Sequence, residues 1–277
     1  MPSSSPSSET QTIRILCFGD SLTSGTPESH PYAGKLKERL EELLNNSSSS
    51  PTTRSTGGTK GSKGREKEKK IVLECEVAGL PGDWVTGGQY MKRLEKEWEH
   101  NVYDWTIILG GTNDFAWDVS TDTLIAGLKK VWDIPLSRGG KVLALTIPDT
   151  KLRGPEIPER RAKVNQAIKA YKKTNFFHFD LAAAIPHHTA TPAERAAHWW
   201  HDGVHMSAGG YDLFGTRVAE SLAPIIRLAE AQDTDISDIV TDARQRRAIE
   251  DLIVEEERGD PRLLSQGYIV VRRRDLD

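Results

Sequence analysis

The chain of 277 residues is poor in several features that would have assigned it to a class at once. It has only two cysteines, Cys17 and Cys75, both inside apolar runs. That argues against a disulfide framework and suits free thiols in a reducing compartment. It has no run of 18 apolar residues, so a membrane-spanning helix and a membrane partner are not expected. The opening "MPSSSPSSETQ" has neither a basic nor an apolar segment, nothing reads as a signal peptide, and a cytoplasmic location is the default expectation. Charge of one sign is also lacking. A net charge of -3 gives no footprint for nucleic acid. Neither a dinucleotide fingerprint nor a phosphate-binding P-loop occurs, and no cofactor is expected.

What is present is ordinary globular material. The chain is 37% hydrophobic and 28% charged, enough for a packed core under a solvated surface. Residues 45–70, "NNSSSSPTTRSTGGTKGSKGREKEKK", contain no large apolar side chain and carry seven Lys/Arg against two Glu. Such a stretch cannot bury enough surface to offset its ordering entropy, so it reads as a disordered basic insertion. Residues 1–11 read as a disordered N-terminal segment, and 12–231 as one domain. Residues 232–277 read as a C-terminal extension, with a charged helix around Asp238–Glu257 and a short "YIVVRRR".

Within the domain, strand-like and helix-like patterns alternate. Apolar runs at Ile13–Phe18, Ile71–Ala78, Trp105–Leu109, Val142–Ile147 and Phe176–Asp180 predict strands covered on both faces. Helical spacing predicts helices at about Tyr32–Leu44, Gly88–His100, Thr121–Ser137, Pro158–Lys173 and Ala208–Glu230. This repetition predicts an α/β fold, a parallel sheet between two helical layers. Ligands of such sheets gather at the C-terminal ends of the strands.

Three short motifs fall at or near such ends. "FGDSL" delivers Ser21 after the first strand; "AGLPGDW" follows the second and "GGTND" the third. A fourth, "DGVH", lies between the last strand and the last helix. Alone, each has a bland reading: a turn serine, a glycine turn, Asn113 in a left-handed turn, a surface histidine. Together they supply every part of a serine acyl hydrolase. Ser21 offers the hydroxyl, His205 the base, and Asp202, three residues earlier, the carboxylate that orients it. The side chain of Asn113 and the backbone N–H groups of Ser21 and Gly82 offer donors to an oxyanion.

In these four blocks the chain resembles the SGNH (GDSL) hydrolase superfamily, whose members carry Ser, Gly, Asn and His in that order. The resemblance spans Gly19–His205. It implies Ser21 as nucleophile, Asp202 and His205 as its relay, and Ser21, Gly82 and Asn113 as the oxyanion hole, with Gly79 the rival glycine. It further implies a flavodoxin-like three-layer α/β/α sandwich with a five-stranded parallel sheet, no cofactor, and a small-molecule ester substrate. The expected activity is hydrolysis of short-acyl, soluble esters through an acyl-enzyme. Acyl transfer to another alcohol and a non-catalytic binding module on the same scaffold are the alternatives.

Several aromatic and imidazole side chains surround the motifs. Phe115, Trp117, Trp199 and Trp200 are candidate pocket walls and equally candidate core residues. "HHTATPAERAAHWWHDGVH" holds five histidines, but their spacing matches no closed metal pattern, and no metal is expected.

Overall fold

Strands that are apolar along their length need cover on both faces, which the central strands of the sheet have and its edge strands have only in part. The computed structural model describes residues 10–46, 70–151 and 154–233. The chain divides into two units, residues 1–224 and 225–277. Of the second, only 225–233 are described, and they are helical.

Five strands, β1 (Thr10–Gly19), β2 (Lys70–Gly79), β3 (Trp105–Leu109), β4 (Lys141–Leu145) and β5 (Phe176–Phe179), form one sheet in the order β2-β1-β3-β4-β5. Every pairing is parallel. β3 is buried at all five positions, as its uninterrupted apolar run demands. Most of β1 and β4 is buried as well, whereas the edge strands are not: β2 buries only Ile71 and Leu73, and β5 only Phe176. β1 begins three residues earlier than the hydrophobic pattern suggests, because Thr10–Thr12 pair with Lys70–Val72 of β2. Backbone pairing there needs no apolar side chain.

The helices expected from periodicity are α2 (Ala33–Asn45), α3 (Gln89–His100), α5 (Thr121–Ser137), α6 (Ile157–Ala170) and α9 (Ala208–Asp233). α6 stops short of Lys173 because Tyr171 adopts extended backbone. Four short helices were not foreseen: α1 (Ser21–Ser24), α4 (Thr112–Ala116), α7 (Leu181–Ala184) and α8 (Pro192–His198). Each is too short to show a helical period.

Alternation along the strands sorts the two faces. Leu16, Phe18, Ile108, Val142 and Ala144 join one core with Tyr90, Leu94 and Trp98 of α3, Leu124, Leu128 and Trp132 of α5, and Val164 and Ile168 of α6. Ile15, Cys17, Ile107, Leu109, Leu143 and Leu145 are buried on the other face. There α2 packs on β2, and Tyr32, just before α2, stacks on Phe214 of α9 with centroids 4.0 Å apart. The fold is therefore the expected three-layer α/β/α sandwich. Among the described residues no helix is long and apolar enough to cross a membrane.

The strand order decides where the site lies. β1 and β3 are neighbours, while the chain between them detours through β2. The connections after β1 and β3 thus diverge at the C-terminal edge and leave a crevice, the usual ligand position in such sheets. Ser21 follows β1 and Asn113 follows β3, so both rise into it.

The expected N-terminal segment, the basic insertion and the C-terminal extension lie outside the described residues but for their edges. The insertion's two ends are tied together. The Asn45 carboxamide accepts from the Ile71 N–H and donates to the Ile71 carbonyl, both at 2.9 Å. Replacing residues 47–69 by about six Gly/Ser residues should thus leave the fold intact. Shortening the loop this much favours folding by about 1 kcal/mol, worth a rise of about 2–4 °C in melting temperature. Asn45→Ala should lower the melting temperature by a similar amount or more. A thermal melt checks both, and a large drop on replacing 47–69 would mean that the segment packs on the domain.

Candidate active site

β1 ends at Gly19, and Asp20 then caps the four-residue helix α1, its Oδ1 accepting from the Leu22 N–H at 3.0 Å. Ser21 is therefore the first residue of a helix, whose N–H has no intrahelical acceptor. Its hydroxyl lies 2.9 Å from Nε2 of His205, and Nδ1 of His205 lies 2.7 Å from Oδ2 of Asp202. With Nδ1 donating to the carboxylate, Nε2 is left to accept the serine proton.

The histidine comes from a braced loop rather than from a regular element. Asp202 Oδ1 accepts from the N–H groups of Val204 and His205, at 2.8 and 2.9 Å. The His205 carbonyl accepts from Trp200 N–H, Trp199 bridges Met206, and the Gly203 carbonyl accepts from Lys151 N–H. Burial opposes ionisation of Asp202, but the bonds from the His205 ring and from the two N–H groups prevail. Its carboxyl is held below its ordinary range. Asp202 is thus charged where the imidazole needs an anionic partner.

The other half of the site is the turn Leu80-Pro81-Gly82-Asp83. The Leu80 N–H donates to the Gly19 carbonyl, and the turn closes with Asp83 N–H on the Leu80 carbonyl. Proline at the second position and glycine with φ +80° at the third are what a type II turn requires. A Cβ built on Gly82 would meet nothing within 4 Å, so the backbone is uncrowded at that corner. Gly79, the rival glycine, is committed elsewhere. It pairs with Gly19 in the sheet, and a Cβ there would come within 2.3 Å of the Ser24 backbone nitrogen.

Asn113 stands in the first turn of α4, not in the left-handed conformation that a simple turn reading allowed. Its Nδ2 donates to the Asp83 carbonyl at 2.8 Å, which uses one amide hydrogen and leaves the second free. Asn113 and the Gly82 turn are thus one unit.

Sequence reasoning missed what holds this unit in place. Arg93 of α3 donates from Nε to Asp83 Oδ2 at 2.9 Å, and its Nη2 lies 2.9 Å from the same oxygen in the ion pair. The same guanidinium reaches the Gly19 carbonyl at 2.9 Å and the Ala78 carbonyl at 3.1 Å, and lies 4.6 Å above the Phe18 ring. The Asp114 carboxylate accepts from Val85 N–H, Thr86 N–H and the Thr86 hydroxyl, pinning the rest of the loop. Asp114 adjoins a motif residue and was within reach of inspection. Arg93 sits on a charged helix with nothing local to mark it.

Asp20 was also missed. It is 1% exposed, and its Oδ2 has no partner among the described residues. Burial pushes its carboxyl up to about 7, against the pull of the Leu22 N–H and of His205.

The four aromatic candidates separate. Phe115 is 4% exposed within the core that faces α3, α5 and α6. Trp117 is 64% exposed and packs on Trp84. Trp199 is buried edge-on to His187, and Trp200 is half-buried beside His201. Among the described residues no three His, Cys, Asp or Glu side chains converge as a metal site would require.

The family model described as GDSL-like lipase/acylhydrolase matches residues 17–213. Among solved structures, a lipase/acylhydrolase from Enterococcus faecalis is 22% identical over 76% of this chain and 96% of its own, with a TM-score of 0.52. A member of the lipolytic G-D-S-L family from Veillonella parvula is 20% identical over 75% and 97%, TM-score 0.54. The psychrotrophic esterase EstA from Pseudoalteromonas sp., in a structure inhibited by monoethylphosphonate, is 14% identical over 77% and 98%, TM-score 0.53. No curated protein matches.

Two measurements probe the site's construction. Arg93→Ala leaves the Asp83 carboxylate buried without its cation and should cost about 3–5 kcal/mol in a denaturant titration. Arg93→Lys should cost less, and a loss below about 1 kcal/mol for alanine would refute the clamp. For Asp20, the folded state holds the proton more tightly than the unfolded chain does. Its contribution therefore turns into a cost as pH rises from about 4 through about 7, on the order of 4 kcal/mol when complete. Asp20→Asn removes that cost, so its stability relative to the wild type should improve between pH 5 and pH 8. The same difference at both pH values would contradict the assignment.

Proposed function

The chain belongs to the GDSL-like lipase/acylhydrolase family, and on that premise we propose that it is a serine esterase acting on small carboxylic esters through an acyl-enzyme. The observation that carries this reading is the continuous relay from Ser21 Oγ through the His205 ring to Asp202, at 2.9 and 2.7 Å.

Each group has a role. Ser21 Oγ attacks the ester carbonyl carbon while Nε2 of His205 takes its proton, and Asp202 stabilises the imidazolium through Nδ1. The carbonyl oxygen becomes an oxyanion, received by the N–H groups of Ser21 and Gly82 and by the free amide hydrogen of Asn113. Collapse expels the alcohol, which takes the proton from Nε2. A water then repeats the sequence on the acyl-enzyme, losing a proton to Nε2 and releasing the acid and a free Ser21. No other reactant is needed.

The preference for small esters is supported by the short connections that surround the crevice. The turn at Gly82 and the helix that carries Asn113 span a few residues each, and among the described residues neither carries a long apolar segment.

Asn113 separates catalysis from binding. A donor aimed at the oxyanion acts most in the tetrahedral intermediate, so losing it lowers kcat far more than it raises KM. Asn113→Ala keeps the helical conformation and should lose about 10²–10³ in kcat on a short ester such as p-nitrophenyl acetate. It should stay folded, with a stability cost of about 1 kcal/mol from the lost bond to Asp83. Ser21→Ala and His205→Ala should fall to near background. Wild-type turnover in a folded Asn113→Ala would remove the oxyanion role, and wild-type turnover in Ser21→Ala would remove the esterase reading itself.

A further inference from the structure

Trp117 is a large apolar side chain left 64% exposed. Its indole packs on that of Trp84, with centroids 5.1 Å apart and planes inclined by 35°. Exposed apolar surface of this kind marks a contact site when the structure spends effort to keep it exposed.

Here it does. Trp117 ends α4 with its N–H on the carbonyls of Asn113 and Phe115. Asp118 follows with φ +53°, a left-handed conformation that a non-glycine residue adopts at some cost. Arg160 holds that corner by donating to the Asp118 carboxylate at 2.9 Å and to the Val119 carbonyl. On the other side, the chain doubles under Trp84 so closely that a Cβ at Gly87 would lie 2.4 Å from the indole. The backbone that carries both indoles is therefore held in place before anything binds.

Their position ties them to the reaction. Trp117 is four residues after Asn113, hence on the same side of the helix. Trp84 follows Asp83, whose carbonyl receives the Asn113 amide. Both tryptophans thus belong to the two short segments that the Asn113–Asp83 bond joins.

We propose that Trp84 and Trp117 form an aromatic subsite that selects esters carrying a flat aromatic ring close to the scissile bond. The proposal rests on the esterase reading and adds the substrate class to it. A planar ring is the occupant that two preset indole faces favour, because stacking and edge contacts add to simple burial. The residue after Trp117 is the charged Asp118, its side chain 92% exposed, so the apolar surface does not continue along the chain.

The test compares esters of matched shape and leaving group. Benzyl acetate against cyclohexylmethyl acetate places the ring on the alcohol, and ethyl phenylacetate against ethyl cyclohexylacetate places it on the acyl side. In one of these arms the wild type should prefer the aromatic ester by about 3–10-fold in kcat/KM. Trp117→Ala should bring that ratio close to one, and Trp84→Leu should reduce it. Trp117 is exposed, so its removal does not empty the core.

A ratio near one in both wild-type arms, or a ratio that neither variant changes, overturns the proposal. So does co-sedimentation with phosphatidylcholine vesicles that is lost in Trp117→Ala without any aromatic preference, which would assign the pair to a lipid surface. Binding is read separately in Ser21→Ala. There benzyl acetate or ethyl phenylacetate should shift the indole fluorescence more than its cyclohexyl counterpart does, and the excess should vanish when Trp117→Phe is added. Absence of turnover by the wild type with that shift intact would refute the esterase reading and leave the subsite standing, whereas absence of the shift overturns the subsite.

Discussion

Arg93 is the charge around which the crest of the sheet is assembled. Where parallel strands end, their last carbonyls point past the ladder and need donors. Gly19 and Ala78, at the ends of β1 and β2, both give theirs to Arg93. The same guanidinium holds Asp83, whose side chain is 5% exposed, and rests on the face of Phe18. A rigid planar donor suits this node, since it reaches three acceptors in fixed directions with little further loss of side-chain freedom. Its consequence for the site is indirect. Once the Asp83 side chain is fixed, its carbonyl is fixed as well, and that carbonyl sets the Asn113 amide. The strand that leads to Ser21 and the turn that holds Gly82 are thereby referenced to one another.

This explains which parts were legible in the sequence. Groups that act through their own chemistry are few in kind, and the blocks holding Ser21, Gly82, Asn113 and His205 could be read from residue type and order. The central strands were legible because burial on both faces leaves an uninterrupted apolar run, as in "WTIIL", and the edge strands β2 and β5 from apolar runs that the sheet covers only in part. Arg93 was not, because its partners are backbone carbonyls of two strands and a carboxylate ten residues away. In α3 it reads like Lys92 or Lys96 beside it. Pairing between separate elements leaves no local pattern. The short helices escaped for a related reason: α1 and α4 exist because a cap and a strand end require them, not because of propensity.

The aromatic residues show the same limit. "FAW" places Phe115 and Trp117 two positions apart on a short helix, and nothing in the sequence says which of them faces inward. In the fold they diverge fully, Phe115 into the core and Trp117 into solvent. A helix turns about 200° over two residues, so a helix lying on the core must separate them. The direction of that turn depends on where β3 and Ile147 lie, which is a tertiary fact. Trp84 became significant only when paired, since a lone tryptophan in a turn carries no message about its neighbour.

Asp20 marks the place where local preference and global placement conflict. A carboxylate at a helix N-cap is favourable when solvated, yet here burial raises it to about 7 and one oxygen lacks a partner. The conflict follows from the position of Ser21. To bring its hydroxyl within 2.9 Å of His205 and leave its N–H free, the chain must turn straight from β1 into a helix. That turn needs a cap at residue 20, beneath the same crest that Arg93 seals. Burial raises the carboxyl against the bond from Leu22 N–H, and its second oxygen has no partner among the described residues to oppose that shift. The core packed on the sheet can offset such a local cost.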